Sequence, residues 1–167
     1  MKTRTEKCVT AAMLAALTCI ATMVIKIPSP LKGYLNLGDC TVLLSGWLLP
    51  GGFGVTAAGL GSALADVLSG YVVYAPATFV IKGIMALAAF GVFRMFKGEN
   101  KQFAGRVISG LSAELIMILG YYIFEGFLYG FKASAINIPA NGVQGAAGLV
   151  VGLILIKVFE KNKIFKI

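Results

Sequence analysis

The chain has 167 residues, of which 58% are hydrophobic and 13% are charged, with 15 lysines and arginines against 7 aspartates and glutamates. A soluble domain of this length has too little interior to bury so much apolar surface, so the composition excludes an ordinary soluble enzyme and a disordered segment. The net charge of +8 does not indicate a nucleic-acid partner, because the basic residues form short clusters between apolar stretches rather than one basic face. The composition therefore predicts a protein embedded in a lipid bilayer.

Six apolar stretches are predicted to form helices in the membrane, whose hydrocarbon core is about 30 Å thick. They cover residues 9–25, 39–49, 53–71, 76–96, 107–129 and 140–159, and the second is short. The N-terminal MKTRTEK leads directly into the first stretch, which is interpreted as a retained span rather than a cleaved signal peptide. The predicted fold class is an all-α integral membrane protein, a single six-transmembrane-helix bundle over residues 1–167.

The distribution of lysine and arginine predicts the orientation of this bundle. If the N-terminus is cytoplasmic, the outer segments hold Lys26, Lys32 and Lys132, and Lys82 lies inside the fourth span. The other basic residues then fall in inner segments: Lys2, Arg4, Lys7, Arg94, Lys97, Lys101, Arg106, Lys157, Lys161, Lys163 and Lys166. This bias predicts that both termini are cytoplasmic.

Small residues at a spacing of four recur in three of the predicted spans. The first span contains two overlapping AxxxA patterns, formed by Ala11, Ala12, Ala15 and Ala16. The third contains Ala57, Gly61 and Ala65, and the sixth contains Gly148 and Gly152. Such spacing lets helix backbones approach closely, and in the third and sixth spans it is interpreted as packing within the bundle.

Two ionisable residues lie at matching positions of a predicted helical hairpin. Asp66 and Lys82 are each eight residues from Tyr74, at the centre of the turn between the third and fourth spans. Equal distance from the turn predicts equal depth, and hence an Asp66–Lys82 ion pair. The pair could hold the hairpin together, or Lys82 could contact a ligand directly.

Polar side chains from several segments are predicted to meet at the outer end of the bundle. They are Tyr34, Asn36 and Asp39 in the first outer loop, Tyr71 and Tyr74 in the second, Tyr121 and Glu125 in the outer half of the fifth span, and Asn137, Asn141 and Gln144 at the start of the sixth. Glu114 shares the helical face of Tyr121 and Glu125 but is predicted to lie deeper, toward the inside, where it could form a hydrogen-bonded packing contact. A concave site with apolar walls and a few polar groups is the usual design for a small ligand, and amides suit a heteroaromatic one. An interfacial tyrosine belt and hydrogen bonds between helices are the alternative explanations.

No catalytic residue, metal site or cofactor is predicted. Histidine is absent, no familiar nucleophile, phosphate-loop or metal-ligand motif is present, and Cys8, Cys19 and Cys40 are interpreted as small apolar residues. Two other functions remain open: an autonomous ion-coupled carrier with Asp66, Glu114 and Lys82 as a proton relay, and an integral membrane enzyme.

The chain also resembles a known family. The segment GYLNLGDCTVLLSGWLLPGGFGVTAAGLGSALADVLSGYVVYAPATFVIKG at residues 33–83, with GYYIFEGFLYG and NIPANGVQG, is similar to the substrate-binding S components of energy-coupling factor (ECF) vitamin transporters. The similarity is greatest to the group that takes riboflavin, hydroxymethylpyrimidine or pyridoxine. It implies six helices with cytoplasmic termini, capture of a vitamin under the first outer loop, and docking on a transmembrane coupling subunit driven by two ATPase subunits, with the S component toppling in the bilayer.

The resemblance also implies roles for individual residues. The alanine motif, here Ala11, Ala12, Ala15 and Ala16, contacts the coupling subunit. With Tyr74 from the second loop, the expected substrate-binding residues are Asn36, Tyr74, Lys82, Tyr121, Glu125, Asn141 and Gln144. Riboflavin-type members carry a lysine where Gln144 stands, which moves the expected ligand modestly toward smaller vitamins with ring nitrogens.

Overall fold

The computed structural model describes residues 3–29, 31, 33–96 and 98–162, which form a helical bundle. The helices are α1 (Arg4–Val24), α2 (Gly38–Leu48), α3 (Gly51–Leu68), α4 (Ala75–Phe93), α5 (Gln102–Tyr129), a single turn α6 (Phe131–Ser134) and α7 (Ile138–Lys161). The loop between α1 and α2 contains an antiparallel hairpin of β1 (Ile27–Pro28) and β2 (Tyr34–Leu35). The predicted charges at Lys2, Lys32, Lys97, Lys163 and Lys166 lie outside the described residues.

The six predicted helices are all present, with boundaries that differ by a few residues. α1 begins at Arg4 because Thr3 caps it, its hydroxyl accepting a hydrogen bond of 3.2 Å from the Glu6 amide. α5 begins at Gln102, ahead of the predicted apolar stretch. The helix extends beyond this stretch, since a helix need not end where the lipid does. Hydropathy therefore predicts the apolar part of each helix better than its ends.

The second predicted span is a buried helix rather than a full membrane crossing. α2 has 11 residues, which makes it about 16 Å long, roughly half of the hydrocarbon core. All residues from Gly38 to Trp47 are buried, and α2 packs against α1, α3, α4 and α7. Gly46 allows the contact with α4, since a Cβ there would lie 2.5 Å from the Ala86 carbonyl oxygen.

The surrounding helices present apolar side chains outward. Within the part of the chain that the structure describes, five helical segments are long and apolar enough to cross a membrane. Large exposed apolar residues follow the outer faces of α1, α3, α5 and α7, among them Met13, Ile20, Leu64, Leu115 and Ile154. A bundle that is apolar on its outside as well as in its core is suited to lipid.

The two ends of the bundle are distinct. At one end, here called the hairpin end, the β hairpin meets the ends of α1, α3 and α5 and the beginnings of α4 and α7. Lys26 Nζ donates to Ser69 Oγ there over 2.5 Å, which ties the segment after α1 to the end of α3. At the opposite end, here called the terminus end, Arg106 of α5 forms a two-bond ion pair with Glu160 of α7 at 2.5 and 3.0 Å.

Candidate functional site

A cavity opens at the hairpin end of the bundle. Its empty space is about 420 Å³, counting the part that is open to solvent. The lining residues are Ser29, Gly33, Tyr34 and Asn36 of the first loop, Asp66 of α3, Tyr71 and Tyr74 of the following turn, Thr78 of α4, Tyr121 and Glu125 of α5, and Asn137, Asn141 and Gln144 at the start of α7. Most of these side chains are polar or aromatic, which is unusual for the interior of an apolar bundle.

The short α2 explains why the cavity lies at this end. The first loop runs down to Gly38 before α2 begins, and Asp39 in the first turn of α2 is already wholly buried. Asn36 stabilises the start of the helix, since its side-chain oxygen accepts a 2.8 Å hydrogen bond from the Gly38 amide. α2 therefore occupies the half of the bundle toward the terminus end, and the loop and the cavity occupy the other half.

A row of aromatic rings forms one wall of the cavity. The ring centroids of Tyr34 and Tyr71 are 4.7 Å apart, those of Tyr71 and Tyr74 are 6.3 Å apart, and those of Tyr74 and Phe124 are 5.3 Å apart. Burial, and then the neighbouring Asp66, raises the pKa of Tyr34. Burial also raises the pKa of Tyr74, followed by its hydrogen bonds to Tyr129 and Glu125. Both hydroxyls are therefore neutral donors at physiological pH.

Glu125 lies at one end of this row. Both of its carboxylate oxygens accept 2.9 Å hydrogen bonds from Asn137 Nδ2, and the Tyr74 hydroxyl donates to Oε1 over 3.4 Å. The oxygen of the Asn137 side chain accepts a 3.3 Å bond from the Leu31 amide. This network connects α5, the segment just before α7, the turn between α3 and α4, and the loop between α1 and α2.

Asp66 lies at the other end of the row, where the Tyr34 hydroxyl donates to its Oδ1 over 2.7 Å. The predicted Asp66–Lys82 ion pair is therefore wrong: Lys82 pairs with Asp39 instead. Equal distance from a turn fixes depth but not the direction in which a side chain leaves its helix. Lys82 points toward α2, where the buried carboxylate of Asp39 requires a counter-ion.

A buried chain of hydrogen bonds lies beneath the cavity. Lys82 donates to Asp39 Oδ1, and Gln144 Nε2 donates to Asp39 Oδ2 over 2.6 Å. Gln144 Oε1 in turn accepts a 3.0 Å hydrogen bond from the Asn36 amide. The position of the first loop is thus tied through Gln144 to the Asp39–Lys82 pair.

The structure brings together six of the seven residues predicted to bind substrate. Asn36, Tyr74, Tyr121, Glu125, Asn141 and Gln144 all line the cavity. Lys82 does not: its Nζ lies 5.5 Å from the Tyr121 ring centroid and is engaged with Asp39. Asp39, expected at the outer mouth, is also below the cavity. Glu114 does not line the cavity either: its carboxylate lies near Asp39, against Gly145 and Gly148 of α7, and neither of its buried oxygens has a hydrogen-bond partner among the described residues.

The sequence interpretation did not identify several lining residues. The sequence predicts Asp66 as an ion-pair partner of Lys82, or as part of a proton relay, but not as a lining residue of this cavity, and it predicts no site role for Ser29, Gly33 or Thr78. The spacing contained a signal for Thr78, which is four residues after Tyr74 and therefore shares its helical face. Ser29 and Gly33 join the site through the β hairpin, for which the sequence offers no comparable signal.

The four alanines of the first span divide between two surfaces. Ala11 and Ala15 pack against the core, and a Cβ at Gly61 of α3 would lie 2.4 Å from the Ala15 carbonyl oxygen. Ala12 and Ala16 are exposed on the outside of the bundle. The first AxxxA pattern thus packs inside the protein, and only the second is available to a partner.

A lipid-exposed helical bundle with a polar cavity at one end defines an integral membrane protein with a small-molecule site. Comparison with known proteins specifies the class. The family model described as "ECF-type riboflavin transporter, S component" matches residues 2–161, and the chain belongs to this family. It is therefore a multi-pass membrane protein and a transporter component, not an enzyme.

Two known proteins match this chain over most of their own length and most of its length. An uncharacterised protein of Pyrococcus woesei is 35% identical over 137 residues, which cover 80% of this chain and 87% of that protein. A solved structure titled "Structure and mechanism of the S component of a bacterial ECF transporter" aligns with a TM-score of 0.73 at 20% identity, covering 95% of this chain and 98% of that one. The latter likeness establishes the shared fold.

Proposed function

We propose that this protein captures a heteroaromatic vitamin of the riboflavin, hydroxymethylpyrimidine or pyridoxine type at the outer face of the cell membrane. A partner module, made of a transmembrane coupling subunit and two ATPase subunits, then drives uptake. The observation that carries the proposal is the cavity at the hairpin end, where an aromatic wall faces amide and carboxylate groups. This arrangement suits a flat ring with polar substituents.

Charge supports an outward-facing cavity. Among the described residues, the terminus end carries Arg4, Lys7, Arg94, Lys101, Arg106, Lys157 and Lys161. The hairpin end carries Lys26 and Lys132. Because positive residues concentrate on the cytoplasmic side, this bias favours cytoplasmic termini and an outer cavity.

Ligand entry requires movement of the first loop. The centre of a water molecule can reach only about 30 Å³ of the cavity, which is room for about two waters. A vitamin ring is larger than two water molecules, so its entry must displace the first loop. That movement breaks the hydrogen bonds that the loop forms with Asn137, just before α7, and with Gln144 of α7. Capture then couples ligand contact to loop position, since a ligand shifts the balance between open and closed states only by binding one of them better.

The alternative of an autonomous carrier has less support. Its proton relay requires Asp66, Glu114 and Lys82 to exchange protons, but Lys82 is held by Asp39 and Asp66 by Tyr34. Glu114 forms no hydrogen bond to either of them among the described residues. A continuous relay through these three groups is therefore absent from the part of the chain that the structure describes.

The test combines ligand identification with transport. We expect mass spectrometry of the purified protein to identify a bound heteroaromatic vitamin. We also expect cells to take up that vitamin only when the coupling subunit and active ATPases are present. ATPases with an inactivated nucleotide site serve as the matched control. Uptake by this chain alone that collapses with the proton gradient would overturn the proposal in favour of a carrier.

A further inference from the structure

The cavity has a carboxylate at each end of its aromatic wall. The Tyr34 hydroxyl donates to Asp66, the Tyr34, Tyr71 and Tyr74 rings follow in order, and the Tyr74 hydroxyl donates to Glu125. Asp66 and Glu125 are 6% and 3% exposed, so bulk water screens the charge of neither carboxylate effectively. A bound ring would therefore lie between two acidic groups.

Most hydrogen-bond donors around the cavity are already engaged inside the protein. The Tyr34 and Tyr74 hydroxyls donate to the two carboxylates, Asn137 Nδ2 donates to both oxygens of Glu125, and Gln144 Nε2 donates to Asp39. The acceptor lone pairs of the carboxylates and tyrosine oxygens remain. The Asn141 amide is the one lining amide without a hydrogen bond among the described residues, so acceptors outnumber free donors and the cavity favours a ligand that supplies donors.

The nearby described cations do not compensate for this acidity. Lys82 forms an ion pair with Asp39 beneath the cavity, and Lys26 donates a hydrogen bond to Ser69 outside it. Among the described residues, neither lysine nor arginine lines the cavity.

We propose that Asp66 and Glu125 are specificity-determining residues. They select an uncharged or cationic heteroaromatic ligand rich in hydrogen-bond donors, and they reject the same ligand when it carries a phosphate or carboxylate. This inference rests on the proposed function and narrows its substrate class. An anion entering the cavity would lose its water and meet two carboxylates, and such a repulsive element discriminates as effectively as an attractive one.

The test compares each vitamin with its phosphate ester. Affinities of the purified protein are measured by calorimetry for riboflavin, pyridoxine and hydroxymethylpyrimidine, each against its own phosphate ester. We expect the ester of whichever vitamin binds to bind at least about tenfold more weakly. Asp66→Asn and Glu125→Gln keep the size of each side chain, and we expect each to reduce that ratio. Glu6→Gln, a carboxylate at the terminus end, is the matched control and should leave the ratio unchanged.

The outcomes separate the two proposals. Equal affinity for the vitamin and its ester in the wild-type protein would overturn the selectivity and leave vitamin capture intact. A ratio that neither Asp66→Asn nor Glu125→Gln reduces in folded protein would also overturn it. Failure of every heteroaromatic vitamin to bind would overturn the proposed function, and the selectivity with it. The wild-type comparison remains decisive even if a variant does not fold.

Discussion

Asn141 differs from the other amides of the site in having no hydrogen-bond partner in the part of the chain that the structure describes. Asn137, Gln144 and Asn36 each form hydrogen bonds that hold the loop or α2 in place. Asn141 lines the cavity in the first turn of α7, and it forms no hydrogen bond among the described residues. Its side chain can therefore turn to a ligand without breaking a hydrogen bond to the described residues.

Replacing Asn141 separates binding from stability. We expect Asn141→Ala to weaken vitamin affinity about three- to tenfold, the value of one hydrogen bond, with an unchanged melting temperature. Asn162→Ala, which removes an amide at the terminus end, is the control and should leave affinity unchanged. Calorimetry and thermal unfolding measure the two quantities. Unaltered affinity in Asn141→Ala would exclude this residue from the site.

Spacing along the sequence predicted which residues of a single helix face the cavity together. Tyr121 and Glu125 are four residues apart and Asn141 and Gln144 are three apart, so each pair shares a helical face whatever surrounds it. Partners on different helices depend on how each helix is rotated about its axis. That rotation is set by packing of the whole bundle, which is why the partner of Lys82 could not be predicted.

Among the elements, α7 approaches α2 closely because of its glycines. A Cβ at Gly148 would lie 2.6 Å from Asp39 Cβ, and one at Gly152 would lie 3.4 Å from the Cys40 carbonyl oxygen. The small-residue spacing in the sixth span thus has the role in packing that the sequence indicated. The contact also holds Asp39 where Gln144 and Lys82 can reach it.

Two glycines of α7 offer a matched test of this packing. We expect Gly148→Ala to lower the free energy of unfolding by about 1–3 kcal/mol, because the added methyl group overpacks a rigid contact. Gly142→Ala adds the same group where nothing lies within 4 Å. That variant should be neutral or slightly stabilising, since alanine favours helix. Unfolding can be followed by the fluorescence of Trp47, the only tryptophan in the sequence. Equal stability of the two variants would contradict the close approach.

The elements themselves were largely predictable, whereas the β hairpin was not. Long apolar stretches determine helices in a membrane because every backbone group must be satisfied internally. The hairpin has only two residues in each strand, and hydrogen bonds from Tyr34 to Asp66 of α3 and from the adjoining Asn36 amide to Gln144 of α7 hold it in place. No periodic pattern in the loop sequence could reveal such a short pairing.

For the whole molecule, the proposed substrate site and the proposed partner surface are separate. The cavity lies at the hairpin end, whereas Ala12 and Ala16 lie on the outer face of α1. Ala11 and Ala15 belong to the bundle, so the motif that the resemblance assigned to the coupling subunit has only two members on the surface.

This separation predicts that docking and binding can be uncoupled. We expect the double variant Ala12→Leu and Ala16→Leu to bind vitamin with unchanged affinity, but to reduce co-purification with the coupling subunit and uptake about tenfold or more, because leucine blocks close helix approach. Ala146→Leu, at an exposed alanine on α7, is the control and should support normal uptake. Full uptake by the double variant would exclude this face as the docking surface.

The enclosed, half-length α2 has a consequence for how the nascent chain enters the bilayer. With 11 residues and a carboxylate in its first turn, α2 is too short and too polar to be inserted as an independent transmembrane segment. Only Leu49 and Pro50 separate it from α3. The two helices are therefore expected to be inserted as one unit during biosynthesis, and the Asp39 carboxylate is shielded from lipid only once α4 delivers Lys82 behind them.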